Sequence, residues 1–131
     1  MQLVYYHFTL NPTSQVAAQA ALCAGEQGRF WEFQHLLYAR QEQWNRLSNP
    51  LDTLLDFAPA VELDVAALRS CVKSGRMQPL IEADKDYGNT LQVRSTPTLF
   101  INNQRIVGAQ PETEIVRVLR QELGRAKRNA S

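Results

Sequence analysis

The chain opens with a short apolar stretch, shows helical spacing from about 13 to 92, and only then returns to strand-forming residues. Residues 2–8, QLVYYHF, run apolar almost without interruption, which is typical of a strand buried on both faces. β-Branched and aromatic residues flank a polar turn at Asn102-Asn103-Gln104, which predicts a hairpin over 97–108. We therefore expect one α/β domain over residues 1–131, with a helical insertion at about 13–92 between the strand and the hairpin.

Residues typical of helix ends divide the helical stretch. Thr13 or Ser14 is expected to cap the first helix, which follows directly on the break at the end of the strand. Asp64 is expected to cap a later helix, for which Gly75 is a suitable C-terminal residue. Pro111 is expected to open the last helix, ETEIVRVLRQELG at 112–124, which has one apolar stripe formed by Ile115, Val118, Leu119 and Leu123.

The charge balance argues against two classes of partner. Fourteen basic residues against thirteen acidic residues give a formal net charge of +1, which disfavours nucleic acid or a membrane surface as the main partner. No apolar run approaches the roughly 18 residues of a membrane span. Since His7 and His35 lack metal-motif spacing and no CxxC is present, we expect no metal site and no cofactor. The basic end, RAKRNAS, is expected to be solvated.

Three stretches together resemble one family. They are VYYHFTLNPTSQVAAQAALCAGEQGRFWEFQHLLY at 4–38, LDVAALRSCVKSG at 63–75 and VRSTPTLFINNQRIVG at 93–108. Their order is similar to that of the DsbA-like thiol–disulfide oxidoreductases, which have a thioredoxin fold with a helical insertion. The resemblance implies an extracytoplasmic or periplasmic location, although the first residues, MQLVYYHFTL, do not have the pattern of a signal peptide.

One part of the family's pattern is not present in this sequence. Family members begin with a strand and a helix-opening CxxC, and only then have the strand that residues 3–8 resemble. We therefore expect a fold incomplete at its N-terminus, with no catalytic residue and no redox activity of its own, which leaves open whether the protein is an enzyme. The sheet would be completed by direct pairing of 3–8 with 97–102, or by a strand from a second copy, as in a domain-swapped homo-oligomer.

Ser95, Thr96 and Pro97 are the substrate-binding residues that the resemblance implies. In the family this proline is cis, and the residue before it presents backbone groups to an extended protein or peptide substrate. The sequence also allows a simpler interpretation, in which Pro97 only begins an edge strand, where proline is tolerated.

Cys23 and Cys71 are the two cysteines of the chain, and two interpretations of them stay open. They are either buried thiols that pack as small apolar side chains, or a structural disulfide between two helices of the insertion. The disulfide requires an oxidising compartment, which suits the family's location. Neither cysteine lies at a strand-to-helix turn that would lower its pKa, so neither is expected to be catalytic.

Three functions fit these observations. The first is a DsbA-like chain without its catalytic dithiol. The second is a non-enzymatic module for peptide binding or self-association. The third is a relative of the DsbA-like isomerases or of the kappa-type glutathione transferases, whose reactive residue would also lie in the leading segment that this sequence does not contain.

Overall fold

The computed structural model describes residues 1–130, which form two compact units of mixed helical structure with one small sheet. In the first unit, Met1–Gly88, the helices are α1 (Pro12–Glu26), α2 (Phe30–Ala39), α3 (Leu51–Phe57), α4 (Val65–Ser74) and most of α5 (Gln78–Thr90), with short 3₁₀ helices at Gln41–Gln43 and Ala58–Val61. The second unit begins at Asn89 and contains β1 (Thr98–Ile101), β2 (Gln104–Val107) and α6 (Glu112–Ala130). The single domain expected over residues 1–131 stays a prediction.

The first helix begins earlier than the expected caps, Thr13 or Ser14, suggest. Asn11, not Thr13 or Ser14, is the cap, because its side chain accepts a hydrogen bond from the Ser14 N–H at 2.8 Å. The Ser14 hydroxyl in turn accepts from the Asn11 N–H at 3.2 Å. This reciprocal pair satisfies N–H groups that the first helical turn leaves unpaired. Asp64 caps α4 by accepting from the Ala67 N–H, and Gly75 ends it with a φ of 71°, both as predicted.

The core of the first unit lies where small residues let helices approach closely. The face of α1 is rich in alanine, and this helix packs against α2 and α4. Larger side chains from the neighbouring helices fill the space above the alanines, and the most buried of them are Phe33, Leu54 and Leu68. Burying each such side chain stabilises the fold by about 1.5–3 kcal/mol.

The hairpin of the second unit forms where the sequence predicts it. β1 and β2 pair antiparallel, with Thr98 opposite Val107 and Ile101 opposite Gln104. Asn102 begins the turn with a φ of 54°, a left-handed conformation that asparagine tolerates better than most residues. The last helix differs from the prediction in length, because α6 continues through the basic end as far as Ala130. Lys127 and Arg128 lie in its last turn, where positive charge favours a helix.

The strand predicted over residues 2–8 is wrong. Among the described residues, 1–10 form neither helix nor strand, and the sheet contains β1 and β2 alone, so the direct pairing of 3–8 with 97–102 does not occur either. A strand requires backbone partners, whereas in this segment the His7 N–H donates to a side chain, the carboxylate of Asp84, at 2.9 Å. His7 and Thr9 are therefore buried without a ladder of backbone hydrogen bonds, while Leu3, Val4 and Tyr6 stay exposed.

Candidate functional site

Ser95, Thr96 and Pro97 form an exposed loop that leads directly into β1. The Thr96–Pro97 peptide bond is cis, the isomer that the resemblance implies. The Thr98 hydroxyl donates to the Ser95 carbonyl at 2.7 Å, and the Gly108 N–H donates to the Pro97 carbonyl at 2.8 Å. These two bonds hold the loop from both sides, while Thr96 makes no backbone hydrogen bond within residues 1–130.

Arg105 on β2 braces the chain that precedes this loop. Its guanidinium donates to the backbone carbonyls of Leu91 and Gln92 and lies over the Phe100 ring, 4.8 Å from the ring centroid. The cation–π contact crosses the hairpin, because Phe100 and Arg105 are paired residues of β1 and β2. One arginine therefore joins the chain before the loop to the hairpin that follows it.

Cys23 and Cys71 form a disulfide that joins α1 to α4, with 5.9 Å between their Cα atoms. Of the two interpretations that the sequence leaves open, the structure thus has the bonded one. The two cysteines are 1% and 2% exposed, and they are the whole cysteine content of the chain. The 131 residues therefore present no thiol that could attack a disulfide.

His7 lies in a second polar site, which belongs to the first unit. Besides the backbone bond to Asp84, its ring packs edge-on against Tyr5 and Phe30, at 5.0 and 6.1 Å between centroids. Burial lowers the pKa of His7 from its ordinary value, and the charge of Asp84 opposes that shift with a smaller effect. Its Nε2 atom is buried with no hydrogen-bond partner in the described part of the chain. The environment favours a neutral imidazole.

Tyr5 and Tyr38 form a hydroxyl pair that the sequence does not reveal, since the residues are 33 positions apart. Their oxygens lie 2.8 Å apart. Burial, and then the hydrogen bond to Tyr38, raises the pKa of Tyr5 above its ordinary value. The Trp31 ring packs edge-on against the Tyr5 ring, and Trp31 is half exposed. The pair fixes residue 5 on the helices of the first unit, and the raised pKa keeps the Tyr5 hydroxyl protonated at neutral pH.

Glu122 is a buried carboxylate in the second unit that sequence reasoning missed. It is 5% exposed, and its Oε2 atom accepts from the Asn102 side chain at 3.3 Å. Arg125, one turn further along α6, lies 3.4 Å from the other carboxylate oxygen. Glu122 takes a place on the apolar stripe formed with Ile115 and Val118, and this position is the signal that could have found it. It ties the hairpin turn to α6.

Comparison with known proteins shows the family. The family model for thioredoxin matches residues 1–121, which is most of the chain. The chain belongs to the thioredoxin family. Its thioredoxin-like fold combines helices with a small two-stranded sheet, and none of the helices within residues 1–130 has the length and apolarity needed to cross a membrane.

The curated relatives of this thioredoxin-family chain are much longer proteins. It is similar to Na(+)/H(+) antiporter NhaA 1 of Salinispora arenicola, with 37% identity over 112 residues that cover 83% of this chain and 16% of the relative. It is also similar to Na(+)/H(+) antiporter NhaA 3 of Salinispora tropica, at 36% over 108 residues, covering 80% and 16%. A third relative, Na(+)/H(+) antiporter NhaA 1 of Mycolicibacterium gilvum, is 30% identical over 123 residues, covering 88% and 19%. The chain therefore spans less than a fifth of each of these relatives.

Proposed function

We propose that this chain is a DsbA-like thioredoxin module that binds extended polypeptide at Ser95, Thr96 and Pro97 without exchanging disulfides through its own residues. The observation that carries the proposal is the free backbone beside this loop. The Pro97 carbonyl bonds to the Gly108 N–H, so the β1–β2 ladder begins at that pair.

The same ladder leaves one edge of β1 open. Backbone groups alternate in direction along a strand, so those of Thr98 and Phe100 point away from β2. No third strand joins the sheet within residues 1–130. An extended peptide can satisfy such an edge by adding a strand, and the exposed Thr96 backbone extends the row of available groups.

The cysteines support binding without redox exchange. Disulfide exchange needs a thiolate that attacks a substrate disulfide, and the two cysteine sulfurs of this chain are bonded to each other and buried. We therefore expect no turnover by the chain in insulin reduction or in oxidative refolding of a reduced protein.

Binding is tested with carboxamidomethylated insulin B chain, a peptide that cannot form disulfides, by isothermal titration calorimetry. The Thr96→Arg variant places a long charged side chain on the loop and should weaken binding by about tenfold or more. Thr113→Arg is the matched control, because Thr113 is an exposed threonine of the same unit, at the start of α6. Equal affinity of the two variants, or no binding by the parent chain, would contradict the proposal. Saturable binding of glutathione in place of the peptide would favour the glutathione transferase relationship.

The relatives support a second proposal, on the setting in which the module works. We propose that the module supports the exchange activity of a Na(+)/H(+) antiporter or its amount in the membrane, because the matching segments belong to proteins with that name. The test uses the Salinispora arenicola relative in everted membrane vesicles, with its matching segment deleted or replaced by this chain. Deletion should lower sodium-dependent proton exchange or the amount of antiporter in the membrane, and replacement should restore it. An antiporter unaffected by the deletion would contradict this proposal.

A further inference from the structure

The side chains of residues 6–10 alternate between more exposed and buried, whereas those of residues 1–5 are all exposed, and residues 1–10 form no strand. His7 and Thr9 are 5% and 6% exposed, whereas Val4, Tyr6 and Leu10 are 55%, 53% and 63% exposed. This alternation is the period of an extended chain with one face packed on a protein core. The exposed row is apolar and aromatic, and no residue in MQLVYYHFTL carries a charged side chain.

The hydrogen bond of His7 shows which edge of this segment is occupied. The His7 N–H donates to Asp84 of α5, so the backbone groups of the odd-numbered residues point toward that helix. By alternation, those of Val4, Tyr6 and Phe8 point to the opposite edge. None of these three residues has a backbone hydrogen bond within residues 1–130. An apolar extended edge with unpaired backbone groups is a template for another strand.

We propose that residues 4–8 pair antiparallel with the same segment of a second copy of this chain. The segment suits itself as a partner because it is uncharged, so self-pairing sets no like charges against each other. Val4 and Phe8 then meet across the dimer as a β-branched and aromatic pair, and Tyr6, whose ring packs against Tyr87 of α5, meets its own counterpart. Cross-strand pairs of these types stabilise sheets.

Symmetry and the free edge together fix the register. A two-fold axis perpendicular to the paired strands requires that one residue lies opposite its own copy. Centring the pair on Tyr6 sets Val4 against Phe8 on both sides, so that all three free residues exchange backbone hydrogen bonds. If residue 5 or residue 7 lay on the axis, one of Val4, Tyr6 and Phe8 would have no partner within residues 4–8.

The dimer is tested by light scattering on a size-exclusion column over a series of protein concentrations. The chain should approach the mass of a dimer as its concentration rises. Val4→Lys should raise the dimer dissociation constant about tenfold or more, because a lysine on an edge strand opposes pairing. Leu80→Lys on α5 is the matched control, since Leu80 is 54% exposed and Val4 is 55% exposed. A monomer at every concentration, or a dimer that Val4→Lys does not weaken, would overturn the proposal.

A crosslinking experiment tests the register. Residues directly opposite in a hydrogen-bonded antiparallel pair have Cα atoms about 5.5 Å apart, which is within disulfide range. Tyr6→Cys should therefore give a reducible covalent dimer on mild oxidation, and Leu80→Cys should not. The native disulfide is too buried to interfere. Equal crosslinking of both variants would overturn the inference. Binding of the insulin B chain to the residues around Tyr6, with no pairing between two copies of the chain, would overturn it as well.

Discussion

The backbone N–H of His7 donates to the carboxylate of Asp84 at 2.9 Å, joining residues 77 positions apart in the first unit. This bond, with the pairing of the Tyr5 and Tyr38 hydroxyls, holds an extended segment on helices without any sheet. The stability of the first unit should therefore depend on the individual side chains that make these two hydrogen bonds.

Replacing Asp84 should loosen the extended segment. Asp84→Ala removes a hydrogen bond to a charged acceptor and should lower the free energy of unfolding by about 1.5 kcal/mol. Asp86→Ala, an exposed aspartate two positions away, should leave it unchanged. Urea unfolding followed by tryptophan fluorescence measures this, because buried Trp44 reports on the first unit. Equal effects of the two variants would contradict the role of the His7–Asp84 bond.

Acid should destabilise the first unit through His7. Burial lowers the pKa of His7 below its ordinary 6.5, so the unfolded chain binds more protons than the folded chain as the pH falls through that range. The contribution of His7 to stability is fully present above the unfolded pKa and is lost toward the lower folded one. His7→Gln should flatten the dependence of the unfolding free energy between about pH 7 and pH 5. His35→Gln, at an exposed histidine of α2, should keep it, and the same slope in both variants would refute the assignment.

The Cys23–Cys71 disulfide should stabilise the first unit strongly. It closes a loop with a sequence separation of 48, for which the chain-entropy relation gives about 4 kcal/mol. The Cys23→Ala/Cys71→Ala double variant should lose an amount of that order in urea unfolding. Dithiothreitol should destabilise the parent chain and leave the double variant unaffected. A parent chain insensitive to the reductant under unfolding conditions would count against the disulfide.

Glu122 should matter more than an exposed glutamate of the same helix. Glu122→Ala removes the acceptor of the Asn102 side chain and should lower the local stability of the hairpin by about 1–3 kcal/mol. Glu114→Ala also removes a glutamate paired with an arginine three residues on, Arg117, but that pair is exposed and should contribute little. Amide hydrogen exchange of the hairpin measures both. Equal acceleration of exchange would show that Glu122 has no special role.

Local sequence signals predicted the elements whose hydrogen bonds are local. The hairpin follows from its turn and its β-branched residues, and α4 follows from Asp64 and Gly75, because caps act within one turn of the helix end. Residues 2–8 have an equally clear strand pattern. They do not form a strand, because backbone pairing depends on a distant partner that the pattern does not specify.

The same distinction between local signals and distant contacts applies to the site residues. The proline loop could be found through a resemblance, and the pairing of the two cysteines was one of two open alternatives. The contacts of Tyr5 and His7 depend on how α2 and α5 pack, and no spacing rule connects residues 33 or 77 positions apart. On α6 the apolar stripe was expected to include Leu123, which is 57% exposed, while Glu122 is buried in its place. A one-residue difference in the helical phase explains that error.

The most direct test of the account is a ¹H–¹⁵N correlation spectrum of the chain titrated with carboxamidomethylated insulin B chain. We predict that the largest saturable shifts occur at the amides of Ser95, Thr96 and Thr98, and that Thr96→Arg suppresses them while Thr113→Arg does not. A titration that leaves these amides unshifted, or that perturbs only the aromatic surface around Trp31, would contradict the proposal that this thioredoxin-family chain binds polypeptide at its proline loop.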